Sequence, residues 1–133
     1  MYSGALASDP AMDAIIVAFG VNDFNSGVTN ADFEISLKSL VDKIQIKQPN
    51  TPIYLIQAPK NLGTGKDFGK YGDNMQHIAN QCQNVYHIST RVLETSIGWQ
   101  PDGSHLDTAS KKILANYIDS SITRYESTAK RKE

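Results

Sequence analysis

Ala14-Ile15-Ile16-Val17-Ala18-Phe19 is an unbroken apolar run, rich in branched side chains, that stops at Gly20. A strand with one face in water alternates polar and apolar residues; a continuous run belongs to a strand covered on both faces. Such strands are found in parallel sheets sandwiched between helices. The pattern returns at Ile53-Tyr54-Leu55-Ile56, entered after Pro52 and closed by Pro59, and more weakly at Val85-Tyr86-His87-Ile88.

Helical patterns separate these strands. Thr29-Asn30 offers a cap to a helix in which Phe33, Leu37, Leu40, Val41 and Ile44 recur at spacings of three and four, until Pro49-Asn50 breaks it. A second helix is expected from about Asp73 to Cys82. A third runs from about Thr108, with Ile113, Leu114, Tyr117, Ile118 and Ile122 on one face. No hairpin signal joins any two strands. The alternation implies right-handed crossovers and an α/β fold: a three-layer αβα arrangement around a flavodoxin-like parallel sheet of about three strands. Between the second strand and the second helix, Lys60 to Gly72 holds four glycines and three lysines, which favours a mobile loop acting as a lid.

With 133 residues, 40% of them apolar, the chain suits one domain with its own core, expected over residues 1–126 with a polar tail at 127–133. Thirteen basic and 14 acidic residues leave a formal charge of -1, which gives no reason to expect nucleic acid or an anionic membrane as partner. The local excess at Lys130-Arg131-Lys132 reads as a solvated end. Cys82 is the single cysteine, so neither an internal disulfide nor a zinc site of several thiolates is expected, and no other metal or cofactor is called for. The first ten residues lack the pattern of a signal peptide, and no stretch approaches the roughly 18 apolar residues of a membrane span.

Two short strings carry the chemistry. Gly20-Val21-Asn22-Asp23 falls just past the first strand, on the side of a parallel sheet where ligands bind. There the Asn22 amide can donate to a developing oxyanion, with Asp23 beside it as a helix or turn cap. Asp102-Gly103-Ser104-His105 lies between the third strand and the last helix. A carboxylate three residues before an imidazole, joined by Gly and Ser, can hold one ring nitrogen and leave the other to a nucleophile. Each string by itself also reads as an ordinary turn or helix cap.

In this order and on these elements, the two strings resemble the GDSL or SGNH hydrolase family, over about Ala14 to Ile122. The resemblance implies cleavage of ester bonds, with Asn22 as oxyanion donor and Asp102 and His105 as two members of a Ser-His-Asp triad. Gly20 and Asp23 would belong to the same oxyanion and substrate-binding block. Leu106-Asp107 replaces the Pro-Asn often found after the histidine. No Gly-Asp-Ser block precedes Asn22, so the nucleophile is not identified, and the family's five-strand core is expected to be cut to three. Gly4 is a poor match to the family's glycine block.

Other residues are weak substitutes for the nucleophile. Ser104 is too near Asp102 and His105 in sequence to reach the outer imidazole nitrogen, and Ser3 has no strand before it. Cys82 reads as a small apolar helix residue, His77 as a helix residue and His87 as a strand residue. Gly63-Thr64-Gly65-Lys66 lacks the spacing of a phosphate loop. Trp99 fits a pocket wall, a core or a rim equally well.

Two functions follow. One is an ester hydrolase acting on acylated carbohydrate or lipid. The other is a non-catalytic module whose uncovered edge at residues 14–19 pairs with a second copy or a complementing chain. The alternation by itself also suits a nucleotide-binding flavodoxin-like domain.

Overall fold

The computed structural model of the protein describes residues 12–18, 20–61, 64–103 and 105–132; for Asn22 and residues 129–132 it describes the backbone only. Three strands, β1 (Ile15–Val17), β2 (Ile53–Ile56) and β3 (Val85–Ile88), form one parallel sheet in the order β1-β2-β3. Ile16 stands opposite Tyr54, and Leu55 opposite His87. The helices are α1 (Val21–Asn25), α2 (Asn30–Lys47), α3 (Gly69–Gln81) and α4 (Thr108–Lys132), with one 3-10 turn at Arg91–Leu93. The expected alternation of strands and helices is present.

All four residues of β2 are buried, as befits a central strand that meets a helix layer on each face. On one face α2 contributes Phe33, Leu37, Val41 and Ile44, and α3 contributes Met75 and Ile78; they pack on Val17, Ile53, Leu55 and Val85. The apolar spacing of three and four in α2 aims these side chains at the sheet. Its start is fixed by Thr29, whose Oγ1 accepts a hydrogen bond from the Asp32 N–H at 3.2 Å. On the other face α4 lays Tyr117, Ile118, Ile122 and Tyr125 over Tyr54, Ile56 and Ile88. The Tyr117 and Tyr125 hydroxyls donate to the carbonyls of Ser89 and His87 at 2.7 and 2.8 Å, tying α4 to β3.

Three expectations change. β1 is shorter than the apolar run and is buried chiefly on one side: Val17 is buried, but Ile16 is 52% exposed because α4 lies over β2 and β3 rather than β1. Phe19 lies outside the described residues. For the same reason the stripe on α4 packs on the sheet, partly buried, from Tyr117 onward, whereas Ile113, nearer its start, is 38% exposed. The helix also continues through the residues read as a polar tail, to Lys132.

The third change is at α3, which begins at Gly69 rather than near Asp73. Its glycines mark close contacts instead of mobility. A Cβ on Gly72 would stand 2.0 Å from the Gln57 Oε1, and Gly69 is hemmed in by Arg91 and Asp67. Among the described residues no helix is long and apolar enough to cross a membrane.

Candidate active site

The carboxyl ends of β1 and β2 and the loop after β3 converge on one cleft of about 280 Å³. This is where parallel sheets present their ligand sites. After β1, Gly20 turns the chain with φ at +125°, a conformation that side chains rarely adopt. It is buried, and a Cβ there would come within 3.2 Å of both the Phe33 and the Tyr71 rings. Those rings stack on each other with centroids 3.9 Å apart. The Gly20 carbonyl accepts from the Phe24 N–H at 2.8 Å and so opens α1.

Val21 and Asn25 of α1 line the cleft. Asn22 occupies the second position of the same helix, and its side chain lies outside the described residues. Asp23 sits within the first turn of α1 instead of capping it, where its charge suits the positive end of the helix. Neither Gly20 nor Asp23 lines the cleft; Gly20 is the floor on which the α1 wall rests.

The second wall carries the dyad. His105 Nδ1 is 2.7 Å from Asp102 Oδ2, and the His105 backbone N–H donates to Asp102 Oδ1 at 3.2 Å. One carboxylate therefore holds both the main chain and the ring of the histidine. A carboxylate acceptor on Nδ1 makes that nitrogen the donor and leaves Nε2 for proton transfer. Gly103, with φ at +73°, allows the tight turn between them. The side chains are well exposed, 70% for His105 and 48% for Asp102. Ser104 lies outside the described residues.

Polar contacts brace this exposed turn. Trp99 and Leu106 form an antiparallel bridge, and the Gln100 N–H donates to the His105 carbonyl at 2.7 Å. At its base the Gly98 N–H donates to Ser110 Oγ at 2.6 Å, and Asp107 Oδ1 accepts from the Ser110 N–H at 2.8 Å, capping α4. Hydrogen bonds from Ser110 hold the Asp107 carboxyl below the usual carboxylate range. Asn61, buried in the loop after β2, donates through Nδ2 to the Gly103 carbonyl. Its Oδ1 accepts from the Thr64 N–H at 3.1 Å, so one side chain joins two loops around the cleft.

A model of the "GDSL-like Lipase/Acylhydrolase family" matches residues 2–112. The chain belongs to this family. No curated protein matches it in sequence. Among solved structures it is similar to the salicylyl-acyltransferase SsfX3 from a tetracycline biosynthetic pathway, at 20% identity and a TM-score of 0.70, over 94% of this chain. It is also similar to an active-site mutant of a family two carbohydrate esterase from Clostridium thermocellum, at 20% identity and a TM-score of 0.71, over 86% of this chain. The chain spans 40% and 36% of the lengths of those two proteins. At this identity the likeness is one of fold.

As a member of the GDSL-like family the chain keeps the α/β sheet expected from its alternation. The dyad is joined as its spacing implied, and Trp99 proves to be a cleft wall. His77 is a helix residue 3.0 Å from Glu34, and His87 a strand residue beside Gln76. The Glu34 carboxyl is held below its ordinary value by hydrogen bonds from Asn74 and His77. Cys82 ends α3 and packs against the core. Ser3 and Gly4 lie outside the described residues. No group of three His, Cys, Asp or Glu side chains able to hold a metal occurs among the described residues.

Asn61, Thr64, Lys66 and Phe68 line the cleft from within the loop read as a lid, though no pattern singled them out, and Lys111 was missed altogether. The glycine-rich string at 63–66 contributes Thr64 and Lys66 to the cleft, and Gly63 lies outside the described residues. Among the described lining residues Thr64 bears the one hydroxyl, and that oxygen lies 3.5 Å from the Lys66 N–H.

Proposed function

We propose that this chain supplies the acid–base dyad and an oxyanion donor of an acyl-ester hydrolase. The observation that carries the reading is the 2.7 Å contact between His105 Nδ1 and Asp102, beside a cleft at the carboxyl ends of parallel strands. In the reaction a serine outside the described residues, or on a second chain, attacks the acyl carbon. His105 Nε2 takes the serine proton as the carbon–oxygen bond forms, then returns it to the departing alkoxide. Water, deprotonated by the same nitrogen, hydrolyses the acyl-enzyme. Asp102 keeps the ring in the right tautomer and stabilises the imidazolium. Asn22, which matches the family's motif, donates to the oxyanion. Acyl groups on carbohydrate or lipid are the substrates most in keeping with the family and with the carbohydrate esterase of similar fold.

A chromogenic acetate ester tests the reading. Hydrolysis by the protein, lost in His105→Ala and in Asn22→Ala with folding intact, is the expected result. Absence of hydrolysis, together with absence of labelling by a serine-directed phosphonate, removes it.

A specific observation favours a second reading, a module that pairs through its sheet edge. Among the described residues β1 has a neighbour strand on one side only, and its Ile16 is 52% exposed. Uncovered apolar edges recruit another strand. Light scattering after size exclusion distinguishes the cases: a folded monomer at every concentration sinks this alternative, and a dimer dispersed by Ile16→Lys supports it.

A further inference from the structure

Among the described residues that line the cleft, Lys66 and Lys111 bear ammonium groups and none bears a carboxylate. The chain as a whole carries a formal charge of -1, so this is a local excess of positive charge. We propose that the cleft selects an ester that also bears an anionic group, a carboxylate or phosphate, which the two ammonium groups hold. The ester part of this statement rests on the proposed function; the anion part rests on the lysines.

Neither lysine forms an ion pair with a described carboxylate. Lys66 Nζ donates to Asn25 Oδ1 at 2.8 Å, a neutral acceptor that fixes the long side chain at the wall and leaves two N–H donors for a ligand. The acidic residues near the dyad are otherwise engaged: Asp102 holds His105, and Asp107 caps Ser110. Lys111 stands in the first turn of α4, a turn without an acidic residue. A cation there does not offset the positive end of the helix, a task left to the capping Asp107 carboxylate, and it stands where an anionic ligand is favoured. The remaining walls include Val21, Pro59, Phe68 and Trp99. Apolar walls exclude water and strengthen the attraction between the ammonium groups and an anion.

The test reads binding without turnover, by following the Trp99 indole N–H in NMR titrations. Monomethyl succinate and dimethyl succinate share a skeleton and differ by one negative charge. The charged ester is expected to bind at least about tenfold more tightly, the preference shrinking as salt is raised. In a Lys66→Gln/Lys111→Gln double variant the preference disappears while dimethyl succinate binds as before; glutamine keeps a donor for Asn25 and leaves the fold intact by circular dichroism.

Comparing 2-acetoxyethyl phosphate with 2-hydroxyethyl acetate moves the charge to the alcohol half. A lysine-dependent preference for either charged ester supports the proposal and identifies the half concerned. Equal affinities in both pairs, no binding of the charged esters, or a preference that survives in the folded double variant overturns it. Charge-selective binding without hydrolysis or phosphonate labelling removes the esterase reading alone, whereas hydrolysis without charge preference removes this proposal alone.

Discussion

Gly20, at the root of one wall of the cleft, is buried against the stacked rings of Phe33 and Tyr71, whereas the His105 side chain on another wall is 70% exposed. Packing holds the first wall and hydrogen bonds hold the second. Packing is shared with the core between the sheet and helices α2 and α3, so it cannot be loosened without cost to the whole domain. The hydrogen bonds around Asp102, Gly103 and His105 serve their own loop and, through Asn61, the loop after β2. The proposed acid–base role of His105 gains from this division, because exposure keeps the imidazole accessible while the carboxylate fixes its orientation. The largest perturbations should therefore come from the buried wall and the most local ones from the exposed turn.

Phe33→Ala is the severest test. The ring is fully buried and stacks on Tyr71 at 3.9 Å, and large-to-small changes of this kind cost about 3–5 kcal/mol. Urea unfolding should show the loss as a lower midpoint with an unchanged slope. A loss below about 1 kcal/mol would mean that packing does not hold this wall.

Gly20→Ala comes next. The new methyl has to fit 3.2 Å from two rings, at a φ of +125°. Overpacking and backbone strain together should cost about 2–4 kcal/mol. Both variants should affect the His105 turn only through global unfolding, which amide exchange can verify.

Asn61→Ala attacks the other wall. It removes the donor to the Gly103 carbonyl and the acceptor for the Thr64 N–H. A net cost of about 1–2 kcal/mol is expected. The more telling change is local: amides of Gly103 and His105 should exchange faster while those of β2 keep the rate set by global stability. Asn61→Asp separates the two contacts, since it retains the acceptor and loses the donor. If exchange rises equally everywhere, the two walls are not independently held.

Legibility in the sequence followed the range of the contacts. The Thr29 cap and the Asp102 contact to His105 each span three residues, so both could be read from spacing. Strand β2 was legible because its own composition suits burial on both faces. Asn61 was not, because its partner Gly103 lies 42 residues away and no local pattern announces it. The start of α3 was missed because Gly69 and Gly72 suggested a loop, whereas Gly72 yields space to Gln57. Ile16 and Ile113 belong to apolar patterns, but their exposure depends on where α4 crosses the sheet.

The smallest effect concerns β3, the strand from which the exposed wall departs. His87 Nδ1 lies 3.2 Å from Gln76 Oε1, an acceptor, so Nδ1 carries the proton and Nε2 is unprotonated. That Nε2 is buried without a hydrogen-bond partner. Burial accordingly pushes the His87 pKa down, Arg91 adds to the effect, and Asp73 opposes it. Acid would place an unpaired N–H and its charge in a site with no acceptor. With the folded value lowered, the contribution of His87 is complete above the unfolded value of about 6.5 and is lost as pH falls through the folded one. Thermal midpoints at pH 7.5 and 5.5 should therefore differ more in the parent protein than in His87→Gln, by no more than about 4 °C. The carboxylates with lowered values, Glu34 and Asp107, lose their contributions only at lower pH and leave this window to the histidine. If acid also speeds exchange in the Asp102–His105 turn, and His87→Gln abolishes that, the exposed wall depends on the anchoring of β3 and not on its own hydrogen bonds alone.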